Sequence, residues 1–246
     1  MEHKETSTLA SNPEGATPGV PAGDFSSWLR QTRAALDDES EAQVACGDCV
    51  GCCSSSYFIH IEPEEAATLA HIPREFVVAA PGRGKGHVLM GHREDGRCPM
   101  LTGGKCSIYQ HRPQTCRRYD CRVFAAAGID AGGAEKATIN QRVRSWIFSY
   151  PTQRDSNEHE AVCAAATFMR EHADSFPGGR VPGNPSELAV LAIKVYEVFL
   201  GERGSSQQPA SESENAAIAA AIVAASRRFD AKAPAAGDTL MCETEI

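Results

Sequence analysis

Apolar residues recur every three or four positions along most of this chain and alternate every second position in one short stretch. This pattern predicts helices built around a small insert with β structure. Behind Asp24, a good helix N-cap, Phe25, Trp28, Leu29, Thr32 and Leu36 line one face of a short helix, expected to brace the segment that follows it. Tyr57, Ile59 and Ile61 alternate as in a half-buried strand, and a second strand is expected at 87–90. Between them a helix is expected to begin at Pro63, with Glu62 near its cap and Glu64 and Glu65 in its first turn, where carboxylates meet the positive end of the helix dipole. A hairpin-like turn at 102–105 and a short helix after Pro113 complete this part. From about Glu135 the period is helical throughout. One stripe carries Ile139, Val143, Trp146, Ile147 and Tyr150, and a second carries Val162, Ala166, Met169, Ala173 and Phe176. A third runs from the cap Asn184 through Leu188, Leu191, Val195, Val198 and Phe199 to Gly201, and a fourth has Ile218, Ile222, Ala225 and Phe229.

The fold class expected from this pattern is α+β: an irregular cysteine-rich module with short strands at 46–124, packed against mainly helical segments at 24–45 and 125–230. Residues 1–23 are rich in Gly, Pro, Ser, Thr and Ala and bury too little to offset ordering entropy, so they are expected to be disordered. A Ser/Gln-rich linker at 202–212 and a loose tail at 231–246 are expected as well.

At 246 residues and 42% apolar content the chain is long enough for a real core. Its net charge of -8 argues against nucleic acid or an anionic membrane as partner, since both attract a positive surface. No basic segment followed by an apolar run opens the sequence, and no stretch approaches the roughly 20 apolar residues that span a bilayer. A cytoplasmic protein is therefore expected, in a compartment where thiols stay reduced.

Ten cysteines in such a setting ask for a role other than disulfides, and eight of them, Cys46, Cys49, Cys52, Cys53, Cys98, Cys106, Cys116 and Cys121, fall within 46–121. The first four read CxxCxxCC. After a gap of 44 residues come Cys98, seven residues, Cys106, nine residues, Cys116, four residues and Cys121. Thiolates are soft ligands, so all eight are candidate metal ligands. CxxCxxC matches the first three ligands of a bacterial ferredoxin loop, although Cys53 stands where a further Cys-Pro would be spaced. Neighbouring side chains diverge, so Cys52 and Cys53 are not expected to serve one ion equally. Eight sulfurs suit two four-cysteine sites, or one cluster with supporting thiols.

Charge adds to this reading. Residues 91–125 hold seven basic residues, Arg93, Arg97, Lys105, Arg112, Arg117, Arg118 and Arg122, against Glu94, Asp95 and Asp120. Such an excess stabilises the negative charge of a thiolate-bound centre. His60, His71, His87, His92 and His111 are further ligand candidates, of which His92 and His111 lie nearest the second cysteine group in sequence. Cys163 is read as a small core residue and Cys242 as a free thiol.

CGDCVGCC followed by GRCPMLTGGKCSIYQHRPQTCRRYDC resembles the cysteine-cluster domain of the CxxCxxCC or YkgJ-like family, described as zinc- or iron-chelating. The resemblance covers about 46–124. It implies a chelating role for Cys46, Cys49, Cys52, Cys53, Cys98, Cys106 and Cys116, with Arg112, Pro113 and Arg117 shaping the site around a cofactor. Cys121 stands in place of a downstream cysteine carried by some members. The family includes flagellin lysine N-methylases, which combine such a cluster with S-adenosylmethionine; the flanking helices here carry no feature tied to that donor or to flagellin.

The leading expectation is a metal-binding protein with an iron-sulfur centre of the 4Fe-4S type, favoured over zinc by the three-cysteine loop and its basic surroundings. An oxidoreductase, or an accessory to S-adenosylmethionine-dependent N-methylation acting with a protein substrate or partner, would use such a centre. The alternative is a zinc protein with closed four-thiolate sites, structural or sensing metal and redox state without catalysis. No nucleophile-base pair points to a particular reaction.

Overall fold

A computed structural model describes residues 19–38, 42, 44, 46–201 and 211–231; Cys242, residues 1–18, and most of the linker expected at 202–212 and of the tail expected at 231–246 lie outside them. The largest body of the fold is helical. It contains α1 (Phe25–Asp38), α4 (Arg122–Ala127), α5 (Ala137–Ser145), α6 (Gln153–Glu171), α7 (Pro185–Val195) and α8 (Glu212–Asp230). Ala161, Val162, Ala165, Ala166 and Met169 of α6 are almost fully buried because they repeat on one helical face. Against that face pack α1, α4 and α7, and α8 closes over α7. Arg33 of α1 donates to the carbonyls of Ile193 and Lys194 at 2.8 and 2.9 Å, tying α1 to the C-terminal end of α7, where a cation is favoured.

The helix stripe expected to run on through Trp146, Ile147 and Tyr150 breaks at Ser145. Trp146–Ser149 is a strand, β7, in which Trp146 and Phe148 face inward and Ile147 is exposed. It pairs in parallel with β1 (Val20–Asp24), matching Val20 to Trp146 and Asp24 to Ser149, with a bulge between Pro21 and Gly23. Gly23 has φ +94°, a left-handed conformation in which other residues are strained. The segment expected to be disordered up to residue 23 thus ends in an ordered strand, because β7 supplies the hydrogen bonds that local composition cannot.

Asp155 joins these elements. One carboxylate oxygen accepts the Ser26 amide at 2.9 Å, and the other accepts the Thr152 amide and hydroxyl at 3.0 and 2.5 Å. It caps α6 and the first turn of α1 together. These hydrogen bonds, the Thr152 hydroxyl first, hold its pKa down to about 2. Its contribution to stability is present above the ordinary carboxylate pKa of about 3.9 and is lost as the pH falls toward 2. Urea midpoints measured from pH 6 to pH 2 are expected to fall less steeply in Asp155→Asn than in the wild type, from a lower starting value. Parallel slopes would show that this carboxylate is not an acid-sensitive cap.

The cysteine-rich part has a smaller core of its own. In a three-stranded antiparallel sheet, β4 (Val88–Met90) lies between β2 (Ile59–Ile61) and β3 (Val77–Ala79). Ile61 and Met90 on its inner face meet Ile72, Met100 and Ile108, with Cys98 and Cys106 at the margin. The expected hairpin is present as β5 (Leu101–Thr102) and β6 (Lys105–Cys106), and the expected helix after Pro113 is α3 (Gln114–Arg118). The helix expected from Pro63 begins only after Glu65, as the single turn α2 (Ala66–Leu69). The side chain of Glu65 is instead held by the amides of Glu62 at 2.8 Å and Gln114 at 2.6 Å.

The fold is α+β as expected, but the division of the chain at 124/125 falls inside α4. Cys121, Val123 and Phe124 belong to the same core as Ala161 and Ile193. The brace expected from α1 packs chiefly on α6 and α7 and touches the cysteine-rich part through Trp28, whose indole N–H donates to Asp120 at 3.0 Å.

Candidate metal centre

The chain turns sharply at the first cysteine group. The amide of Cys49 bonds the carbonyl of Cys46 at 3.0 Å, the amide of Gly51 points at the Cys49 sulfur at 3.4 Å, and a single 3-10 turn, Cys52–Ser54, follows. Gly51 lies against α5: a Cβ there would stand 3.3 Å from the Ile139 Cα and 3.4 Å from the Cys49 sulfur, so the missing side chain lets the loop approach the helix closely.

A backbone hydrogen bond of 2.7 Å from the Cys98 amide to the Cys53 carbonyl joins the first cysteine group to the second. The Cys53 sulfur lies 4.0 Å from that of Cys52 and is hydrogen-bonded to Cys98 as well. Cys106 comes in on β6, Cys116 on α3, and Cys121 at the start of α4.

Their electrostatics divide the thiols into two neighbourhoods. Charge on Cys52 and Cys98 raises Cys106 and Cys116, and Cys106 raises Cys116 in turn; charge on Cys49 raises Cys46 and Cys121, a second set that Cys52 reaches through Cys46. Hydrogen bonding to Cys53 is the main cause that lowers Cys98 to about 6 and Cys52 to about 7, while Cys53 itself is raised. Cys53 is thus the last of the three to give up its proton. Burial lifts Cys116 and Cys121 to about 12 and also raises Cys46 and Cys106. Burying several thiols together is costly to ionise unless a cation shares the site.

Cations do approach. Arg93, which donates to the carbonyls of Pro99 and Leu101 at 2.7 and 3.2 Å, favours the Cys98 thiolate. Arg112, stacked over the Tyr109 ring at 4.1 Å, favours those of Cys106 and Cys116. Arg142 of α5 does the same for Cys46. Arg117 bonds the carbonyls of Arg112 and Gln110 at 3.0 and 2.8 Å and so braces the loop that carries Arg112. Arg93 and Arg97 also line a cleft of about 370 Å³ beside Ser54 and the β5–β6 turn.

The sulfurs from distant parts of the chain thus converge without closing into one tetrahedral cage. Among the described residues the one set of three or more His, Cys, Asp or Glu side chains whose ligand atoms lie mutually within 4.8 Å is His60, Glu62 and His87. His92 and His111 are otherwise engaged: His92 Nδ1 lies 2.9 Å from the Arg93 carbonyl oxygen, and His111 stacks on His71 with ring centres 4.1 Å apart. Cys163 lies apart from the cluster, bonded to the Ala126 carbonyl at 3.3 Å.

Several residues of the site were not singled out from the sequence. Trp146 donates its indole N–H to the Cys121 sulfur at 3.2 Å. The hydroxyls of Tyr57 and Tyr119 meet at 3.0 Å, and Lys136 lies 3.8 Å above the Tyr57 ring and bonds the Ser55 carbonyl. Arg93, Arg112 and Arg117 did have a sequence signal, in the local excess of positive charge, whereas Arg142 lies outside that run.

Residues 45–144 match the CxxCxxCC family model, described as "Putative zinc- or iron-chelating domain". No curated protein and no solved structure matches the chain. No helix among the described residues is long and apolar enough to cross a membrane.

Proposed function

We propose that the CxxCxxCC domain at residues 45–144 of this protein holds an iron-sulfur centre of the 4Fe-4S type, with Cys52, Cys98, Cys106 and Cys116 as its ligands. The observation that carries this reading is the joining of the first loop to the second cysteine group, where the Cys98 amide bonds the Cys53 carbonyl at 2.7 Å, the Cys52 and Cys53 sulfurs lie 4.0 Å apart and Cys98 and Cys106 flank one small core; charge on Cys52 and Cys98 is felt at both Cys106 and Cys116, in support. Cys53 supports two of them through its hydrogen bonds, and Cys46, Cys49 and Cys121 form an adjoining set in which Arg142 at Cys46 and the Trp146 indole at Cys121 oppose the upward push of burial. Arg93 and Arg112 offset the negative charge of the ligands, and Arg117 positions Arg112. A four-iron centre spreads its thiolates farther apart than a single zinc ion does, in keeping with sulfurs that converge without closing on one point. When bound, such a centre supplies one-electron redox chemistry.

A zinc reading keeps one specific support: the Cys52–Cys53 sulfur separation of 4.0 Å is close to the spacing of about 3.8 Å around a zinc ion with Zn–S bonds of about 2.3 Å. Anaerobic purification followed by metal and acid-labile sulfide analysis decides between them. Iron with sulfide and broad absorbance near 400 nm, at about the wavelength typical of such centres, is expected. A colourless protein with stoichiometric zinc would replace the iron reading with the zinc one.

A further inference from the structure

On the outer face of the three-stranded sheet lies a set of side chains that the cysteine chemistry does not use. Strand residues two apart point to the same face, and so do residues directly opposite on paired strands. Ile61 pairs with Val88 and His60 with Leu89, so Ile59, Ile61, Val88 and Met90 turn inward to the small core. His60, Glu62 and His87 are left together on the other side.

Their approach is close. His60 Nε2 lies 3.1 Å from His87 Nδ1; the carboxylate of Glu62 lies 3.4 Å from His60 Nδ1 and 3.3 Å from His87 Nδ1. The imidazole rings are nearly parallel, at 5°. Both histidine side chains are about three-quarters buried and Glu62 is 43% exposed, so the set is supported from beneath and open above. Donors bound at about 2.0–2.2 Å around a tetrahedral ion stand about 3.3–3.6 Å apart; the contacts here are of that size but use both nitrogens of His60 and both oxygens of Glu62, and one ligand atom from each residue lies within 4.8 Å of the other two. The terminal torsions of His and Glu are broad, so small rotations bring one atom of each to a common centre.

The backbone behind the set is fixed. The His60 carbonyl accepts the Thr115 hydroxyl at 2.7 Å. Glu65 holds the Glu62 amide and the Gln114 amide at once, so α3, which carries Cys116, is tied to the strand bearing His60.

We propose that His60, Glu62 and His87 form a second metal site, for a divalent transition ion such as zinc, with the fourth coordination position open to water or an anion. Two imidazoles and one carboxylate are borderline donors suited to such ions, and three protein ligands with an open place distinguish the site from a closed structural one. It stands independently of the thiol centre.

Cobalt(II) is the probe that separates the two sites, because thiolate ligation gives intense charge-transfer bands and nitrogen-oxygen ligation only weak visible absorption. Anaerobic titration of the full chain, as purified, is expected to show about one equivalent of cobalt bound without new charge-transfer intensity, and paramagnetic broadening of the His60 and His87 ring protons. In His60→Gln/His87→Gln that equivalent should vanish while metal at the thiols is unchanged. Glu62→Gln should weaken it about tenfold to a hundredfold. The proposal is overturned if wild-type protein shows no such equivalent, or if either variant, folded by circular dichroism, binds cobalt as the wild type does. Should the double variant not fold, Glu62→Gln and the ring-proton signals decide. A chain whose thiols prove to hold no metal still reports on this site, since thiolate-bound cobalt is seen separately.

Discussion

Replacing Cys98 or Cys116 with serine is expected to strip the metal from the thiol centre. Each supplies one of four proposed ligands from a separate element, Cys98 beside the Cys53 carbonyl and Cys116 on α3. Structural zinc sites, the nearest thiolate-bearing scale, bind with free energies of about 10–16 kcal/mol. Losing a quarter of that weakens binding by about two orders of magnitude or more, at about 1.4 kcal/mol per tenfold. Metal content after gel filtration is the measurement, with Cys163→Ser as the comparison, because that sulfur serves only the Ala126 carbonyl. Equal metal in all three variants would remove Cys98 and Cys116 from the ligand set.

The largest expected loss of fold stability belongs to Phe25. It is fully buried where α1 meets β7 and α6, with ring centres 4.4 Å from His159, 5.0 Å from Phe148 and 5.6 Å from Trp28. Phe25→Ala removes a ring that these neighbours cannot close over, at a cost of about 3–5 kcal/mol. A domain whose total stability is about 5–15 kcal/mol would be left close to unfolding. Ile147, on the same strand as Phe148 but 60% exposed, gives the contrast: Ile147→Thr should change stability by about 0.5 kcal/mol or less. Guanidinium unfolding of both variants measures this, and a cost under about 1 kcal/mol for Phe25→Ala would mean that the aromatic cluster does not anchor α1.

What the sequence made legible was governed by local rules. The alternation of Ile59 and Ile61, the Gly103-Gly104 turn, and the long stripes of α6 and α8 depend on neighbours a few positions away, and the structure has them where the periodicity puts them, except that α6 ends at Glu171, before Ala173 and Phe176. The exceptions depend on distant partners. Trp146, Ile147 and Tyr150 fit a helical stripe until β1, more than 120 residues away in sequence, offers parallel hydrogen bonds to this segment. Pro63 and the acidic residues after it resemble a helix start, yet Glu65 caps the chain elsewhere by reaching Gln114, 49 residues on. In the candidate site, thiol spacing identified the cysteines but could not order them into neighbourhoods, because Cys53 meets Cys98 only when two loops fold together. His60 and His87 were visible as residue types only. Their meeting with Glu62 is a consequence of strand register, which nothing in a 27-residue separation announces.

Sulfurs from both cysteine groups are proposed to grip one centre. X-ray absorption at the edge of the metal retained by anaerobically purified protein tests this most directly. The expected first shell is sulfur at about 2.3 Å, lost in Cys98→Ser and Cys116→Ser alike. A shell dominated by nitrogen and oxygen, or a folded protein whose sulfurs hold no metal at all, would contradict it.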